Sequence, residues 1–102
     1  MNLEEIVFNI IGHAGDARSM CFEALAFARE GEFSKADELI KQAKDELVET
    51  HAIQNSMIQK EARGEKQELS LLLVHAEDHL MTAMLAKDLI CEMIEMHKCN
   101  LK

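Results

Sequence analysis

Residues 3–29 read LEEIVFNIIGHAGDARSMCFEALAFAR, with Gly31 just beyond. Within this stretch Leu3, Ile6, Ile10, Ala14, Ala17, Cys21, Ala24 and Ala28 recur at alternating steps of three and four. A helix carries residues so spaced on one face. The period is near 3.5, the value that suits helices packed side by side along their length. The stretch is therefore read as a helix over 3–29 with a buried seam. Gly12 and Gly15 interrupt its middle, each costing about 1 kcal/mol relative to alanine. Gly31 stands where a glycine in left-handed backbone would end the helix.

Reading outward, Ser34-Lys-Ala-Asp37 resembles a capping box with Asp in place of the longer Glu. From it a second stripe runs through Ala36, Ile40, Ala43, Leu47, Thr50, Gln54 and Met57. A polar stretch, Arg63-Gly64-Glu65-Lys66, closes it. A third segment is expected from about Glu68 to His97, with Leu72, Ala76, Ala83, Ile90 and Ile94 on its main stripe. Two short breaks between three helices of about 45 Å predict an all-α, antiparallel up-down-up three-helix bundle. No repeat, linker or low-complexity tract divides the chain, so one domain is expected over residues 1–102.

Composition agrees and narrows the function. The 102 residues include no proline and only four glycines, as a helical chain requires. A net charge of −8 argues against a nucleic-acid partner or an anionic membrane surface, both of which attract clustered positive charge. With no Trp or Tyr and four scattered Phe, an aromatic stacking platform is out of reach. Cys21, Cys91 and Cys99 form no C-x-x-C pair, which predicts reduced thiols in a cytoplasmic protein. The acidic start predicts no secretory leader. Apolar runs such as Leu71–Val74 fall far short of the ~20 residues that span a bilayer, so no membrane insertion is expected. A chain this short has a thin core, and self-association is expected.

Polar residues interrupt the apolar faces. Thr50, His51 and Gln54 do so on the second helix. On the third, His75 and His79 are spaced i, i+4 and share a face one turn apart, with Asp78 near the same edge. Each polar group buried without a partner costs about 1–3 kcal/mol, so such a cluster needs a reason. A zinc site would need further ligands, and no thiol stands at metal-ligand spacing. A di-iron bundle site uses Glu-x-x-His. The residues three before His13, His51, His75, His79 and His97 are Ile10, Val48, Leu72, Ala76 and Ile94, so that motif is absent. A phosphohistidine site needs one accessible neutral imidazole and nearby donors for the phosphoryl oxygens, which His75 with His79 supplies. The competing class is a non-catalytic, acidic helical assembly module whose histidines complete a polar core layer. His13 reads as a boundary residue, and His97 as a cation suited to a helix C-terminus.

Several segments together resemble the IIA component of the lactose/cellobiose (chitobiose) class of the bacterial sugar phosphotransferase system. The most specific is Val74-His75-Ala76-Glu77-Asp78-His79-Leu80-Met81-Thr82. Gly15-Asp16-Ala17-Arg18-Ser19, Gly31-Glu32-Phe33 and Glu49-Thr50-His51-Ala52-Ile53-Gln54 support it, in the family's order. The resemblance implies a trimeric cytoplasmic phosphocarrier. It would accept a phosphoryl group from HPr and pass it to a cysteine of a cognate IIB, while the IIC permease takes up a β-linked disaccharide. By position His75 matches the phosphorylated histidine and His79 a neighbour that helps hold the phosphate. His51 and Gln54 are candidate phosphate-site neighbours, or members of a buried network. Asp78 matches a metal ligand on the trimer axis. Three carboxylates gathered there cannot all stay charged uncompensated, and Mg²⁺ or a similar divalent cation takes oxygen ligands. Leu72, Ala76, Ala83 and Ile90 are expected to offer apolar surface for subunit packing, and the Gly15 region to pack near His75. One departure stands out: the family commonly has Gln two residues after the active histidine, where this chain has Glu77. A two-residue step turns a helix by about 200°, so Glu77 should point away from His75 in its own chain.

Overall fold

A computed structural model describes residues 2–100, and Met1, Leu101 and Lys102 of the expected 1–102 domain lie outside them. Three helices account for nearly all of the described chain: α1 (Leu3–Arg29), α2 (Phe33–Ala62) and α3 (Leu71–Asn100). They run up, down and up in a rod of 55 × 21 × 19 Å.

Local signals place the helix ends. Asn2 caps α1, its Oδ1 accepting from the Glu5 N–H at 2.8 Å. Gly31 (φ 80°) ends α1: its N–H reaches the Ala28 carbonyl, while the Glu32 N–H reaches that of Phe27. Gly64 (φ 91°) ends α2 the same way, with Gly64 N–H on Glu61 and Glu65 N–H on Lys60. This is the Schellman arrangement, and a side chain at either glycine would meet its own backbone. The expected capping box at Ser34 does not form. The first turn is so tight that α2 starts at Phe33 with Glu32 as its N-cap, and no side chain caps it. The second connection is longer. Residues 65–70 are non-helical, and α3 begins at Leu71 rather than near Glu68. Ser70 sets that start, its Oγ accepting from the Leu73 N–H at 3.1 Å.

The core lies on the seams. On α2 the buried residues are the seven of the expected stripe, from Ala36 to Met57. On α1 the seam is shifted at its start: Val7 is buried, and Leu3 and Ile6 pack at its edge. The helix runs unbroken through Gly12 and Gly15, where an added Cβ would meet nothing within 4 Å. These glycines therefore mark no close approach to another helix. On α3 the expected stripe needs correcting. Leu73 and Leu80 are buried, whereas Leu72 is 42% exposed. Ala76, Ala83 and Ile90 are consumed by the chain's own core and offer nothing to another subunit.

Alanine supplies much of the core: Ala14, Ala17, Ala24 and Ala28 on α1 meet Ala36, Ala43, Ala76 and Ala83 of its neighbours' seams. Small residues let helix axes approach to the lower end of the usual 8–10 Å. α1 packs along both α2 and α3, but α2 and α3 touch each other far less. The side of the rod away from α1 is thus left partly open. The buried polar residues of α2 are satisfied. Thr50 donates to the Glu46 carbonyl at 2.9 Å, and Gln54 reaches α3. His13 is bonded to Glu46, tying α1 to α2.

Candidate functional site

The first turns of α3 carry the site. Ser70 fixes where α3 begins, and the seam residues Leu73, Ala76 and Leu80 fix its rotation against α1 and α2. Given that rotation, His75 is exposed and His79 half-buried. Their rings meet edge to face, with centroids 4.5 Å apart and planes at 89°. The i, i+4 spacing read from the sequence thus becomes a real contact. An exposed imidazole braced by a second one is a nucleophile with a neighbouring donor, and phosphoryl transfer asks for little more than positioning and charge stabilisation.

Asp78 is exposed on the same helix, one turn from His75. Its carboxylate makes no ion pair or hydrogen bond among the described residues; only its backbone carbonyl is engaged, by Thr82 Oγ1 at 2.8 Å. Around it α3 shows a second apolar stripe, facing outward: Leu71, Val74, Met81, Leu85, Leu89, Met93 and Met96 are each 42% exposed or more. Spacings of three and four carry this stripe straight along the helix through Asp78. An outward apolar surface is therefore present on α3, and of the residues named from the sequence only Leu72 is exposed while Ala76, Ala83 and Ile90 are buried.

Gln54 and His51 fall differently. Gln54 Nε2 donates to Glu77 Oε2 and lies 3.6 Å from Met81 Sδ. This places Gln54 against the α3 flank opposite His75, since Glu77 is two residues and about 200° away from that histidine. His51 is half-buried on α2 and makes no side-chain hydrogen bond among the described residues. Within one chain, neither is brought to His75 by a hydrogen bond. Glu77 had been expected to point away from His75, and it does. Its pairing with Gln54 joins two helices and left no mark in local spacing.

No three His, Cys, Asp or Glu side chains converge as a metal site among the described residues. Asp78 is a hard oxygen donor of the kind Mg²⁺ takes, but one chain brings one such ligand, so the remainder would come from other chains or water. Nor is any helix long and apolar enough to cross a membrane among the described residues.

Comparison with known proteins gives a consistent picture. Residues 5–98 match the family described as PTS system, Lactose/Cellobiose specific IIA subunit. The chain is 48% identical over 101 residues to the lactose-specific EIIA component of Streptococcus mutans, covering 96% of this chain and 97% of that protein. It is similar to the crystal structure of a cellobiose-specific enzyme IIA from Bacillus anthracis, with a TM-score of 0.90, 47% identity and coverage of 96% and 91%. It is also similar to the IIA(Chitobiose) of Escherichia coli solved in solution with HPr, with a TM-score of 0.86, 41% identity and coverage of 100% and 99%.

Proposed function

The chain belongs to the lactose/cellobiose-specific IIA family of the phosphotransferase system, and from that premise we propose that His75 is its phosphoryl carrier. The donor in this reading is HPr, with which the Escherichia coli relative was solved in complex. The acceptor is the cysteine of a cognate IIB in the cytoplasm, and uptake of a β-linked disaccharide by the permease follows. The observation that carries this reading is the exposed His75 ring resting edge to face on His79.

The chemistry follows from that arrangement. A nitrogen lone pair of neutral His75 attacks the phosphorus of the donor phosphohistidine as the donor's N–P bond breaks in line. His79, one turn along, donates a hydrogen bond to the arriving phosphoryl group. Gln54, bonded to Glu77 on the opposite flank, and His51, which makes no side-chain hydrogen bond among the described residues, do not serve His75 of their own chain. Because the phosphorus–nitrogen bond formed is itself reactive, the group moves on readily to a thiolate.

The same reading includes a threefold assembly through the outward stripe of α3. Burial of about 25 cal/mol per Å² of apolar surface drives it. Asp78 would sit at the axis, where a divalent cation would neutralise the converging carboxylates. The purely structural assembly module considered from the sequence gives way to a phosphotransferase component; its assembling surface is kept.

Incubation with HPr, the enzyme that charges it and phosphoenolpyruvate tests the site. The wild type should gain acid-labile phosphate. His75→Ala should gain none while keeping wild-type helicity, because an exposed ring contributes little packing. His79→Ala should slow the gain by about tenfold, the worth of one charge-assisted hydrogen bond. Normal phosphorylation of His75→Ala would remove the assignment.

A further inference from the structure

We propose that the groove between α1 and α2, on the side that α3 does not line, docks a basic amphipathic helix of a partner protein. The inference is independent of the phosphoryl-transfer reading, since the groove is walled by α1 and α2 alone.

The packing of the hairpin builds it. On both helices the residues just before the seam residues turn toward this groove. On α1 these are Met20, Glu23 and Phe27, each one before the buried Cys21, Ala24 and Ala28. On α2 they are Leu39, Gln42, Glu46 and Glu49, each one before Ile40, Ala43, Leu47 and Thr50. The His13–Glu46 bond fixes this row of α2 against α1. The row just after the seam faces α3 instead, as the bond from Lys98 to Asp37 shows. Between the two rows lie hollows of about 480 and 330 Å³, which share Gln42 and so form one trough. From Ser34 to Glu49 it follows α2 for about 22 Å, or about four helical turns.

Floor and rim differ in chemistry. Met20, Phe27 and Leu39 are partly buried against the core and turn their remaining surface to the trough. The rim is acidic. Glu23 stands on one bank, and Glu38, Asp45 and Glu49 on the other; all four are exposed, and none joins an ion pair among the described residues. Asp45 and Glu49 are one turn apart, a like-charge spacing that works against their own helix. The base in the lining, Lys35, is engaged by Glu32 and lies over the Phe27 ring at 5.3 Å. Lys41 and Lys44 follow seam residues, as Asp37 does, so they stand on the α3 flank. Charge on α2 is thus divided: carboxylates line the trough, and the nearby lysines are kept off it.

These features select the occupant. A trough of this length between two helices takes a third helix, with apolar side chains at i, i+3, i+4 and i+7 set onto the floor. Uncompensated carboxylates on both banks attract Lys or Arg on the flanks of that helix and repel an acidic one. The trough also stands apart from His75. Gln54 meets Glu77, so the histidine end of α3 lies level with α2 beyond Glu49. A docked helix therefore leaves the proposed phosphoryl site open.

A synthetic probe tests this. A fluorescent peptide of about 15 residues, matching the trough, carries Leu at i, i+3, i+4 and i+7 and Lys between them. Anisotropy should show it binding the wild-type protein, and amide shifts should move at Met20, Leu39 and Gln42 but not at Val74 or His75. Two triple variants share one net charge. Glu23→Gln/Glu38→Gln/Glu49→Gln neutralises the rim, and Glu61→Gln/Glu68→Gln/Glu92→Gln neutralises exposed acids elsewhere. The first should weaken binding about tenfold, as three exposed charge pairs would, and the second about twofold or less. Leu39→Ala should weaken binding with the charge unchanged. Circular dichroism checks that each variant folds, and the rim variant should accept phosphate from HPr as the wild type does. Equal losses in the two triple variants would overturn the proposal, because net charge alone would then drive binding. Equal binding of a scrambled Lys/Leu peptide, or displacement by an equal concentration of spermidine, would overturn it by showing that any cation suffices. Shifts that map to the outward stripe of α3, or failure of the basic peptide to bind, would overturn it as well.

Discussion

The thiol of Cys21 is fully buried on the seam of α1, and burial pushes its pKa from 9.0 up to about 11; Cys91 adds to the rise and Lys87 opposes it. The consequence for stability has a definite sign. Below pH 9 the thiol is protonated in both the folded and unfolded chain, and it contributes no pH dependence. Between 9 and about 11 the unfolded chain has released the proton while the folded chain holds it, so stability falls as pH rises. Denaturant midpoints measured from pH 8 to 11 should decline for the wild type, and Cys21→Ala should lose part of that decline. An identical slope in the two proteins would show that Cys21 is not the group responsible. The α1 stripe was enough to place Cys21 in the core. The influence of Cys91 and Lys87 on it depends on how α3 is rotated, and nothing in the spacing of either residue reports that.

The three helices differ in how openly their sequences declare them. α2 has one apolar face and a polar remainder, so its seven buried residues follow from periodicity alone, Thr50 and Gln54 included. α1 keeps its bounds as well. α3 is apolar on two faces, inward for the core and outward along Leu71, Val74, Met81 and Leu85. Its opening run Leu71–Val74 is apolar at every position, so period alone cannot say whether Leu72 or Leu73 turns inward. What decides it is the entry of the helix, where Ser70 Oγ takes the Leu73 N–H. Ser70→Ala should therefore cost about 1 kcal/mol, measured as a lowered denaturant midpoint with an unchanged slope. It should also loosen the first turn, directly before His75. Amide exchange at Leu73 and Val74 should rise more than at Ile90, and equal protection at both ends would refute the link. The His75–His79 contact, by contrast, was legible from the i, i+4 spacing. The Gln54–Glu77 contact was not, because it joins two helices across the fold.

At the scale of the whole molecule, the stripe around Asp78 would set the terms of the proposed threefold assembly. Three unpaired carboxylates buried at an axis would oppose association unless a cation compensates them. Asp78→Leu removes the charge and continues the apolar stripe, so it should keep the trimer and stabilise it by about 1–4 kcal/mol. Sedimentation and thermal melts with and without a chelator check this. The wild type should lose stability on chelation and the variant should not; a wild type that sediments as a dimer at micromolar concentration would end the threefold reading. The dominance of α1 in the packing also orders events in time. α1 and α2 follow one another through a tight turn and can close as a hairpin from local contacts, which form fast. α3 has little to hold on α2 alone and must dock into a groove that α1 has already half built. α3 carries both the proposed nucleophile His75 and the outward apolar stripe. The proposed chemistry and the proposed assembly surface therefore both depend on that docking step.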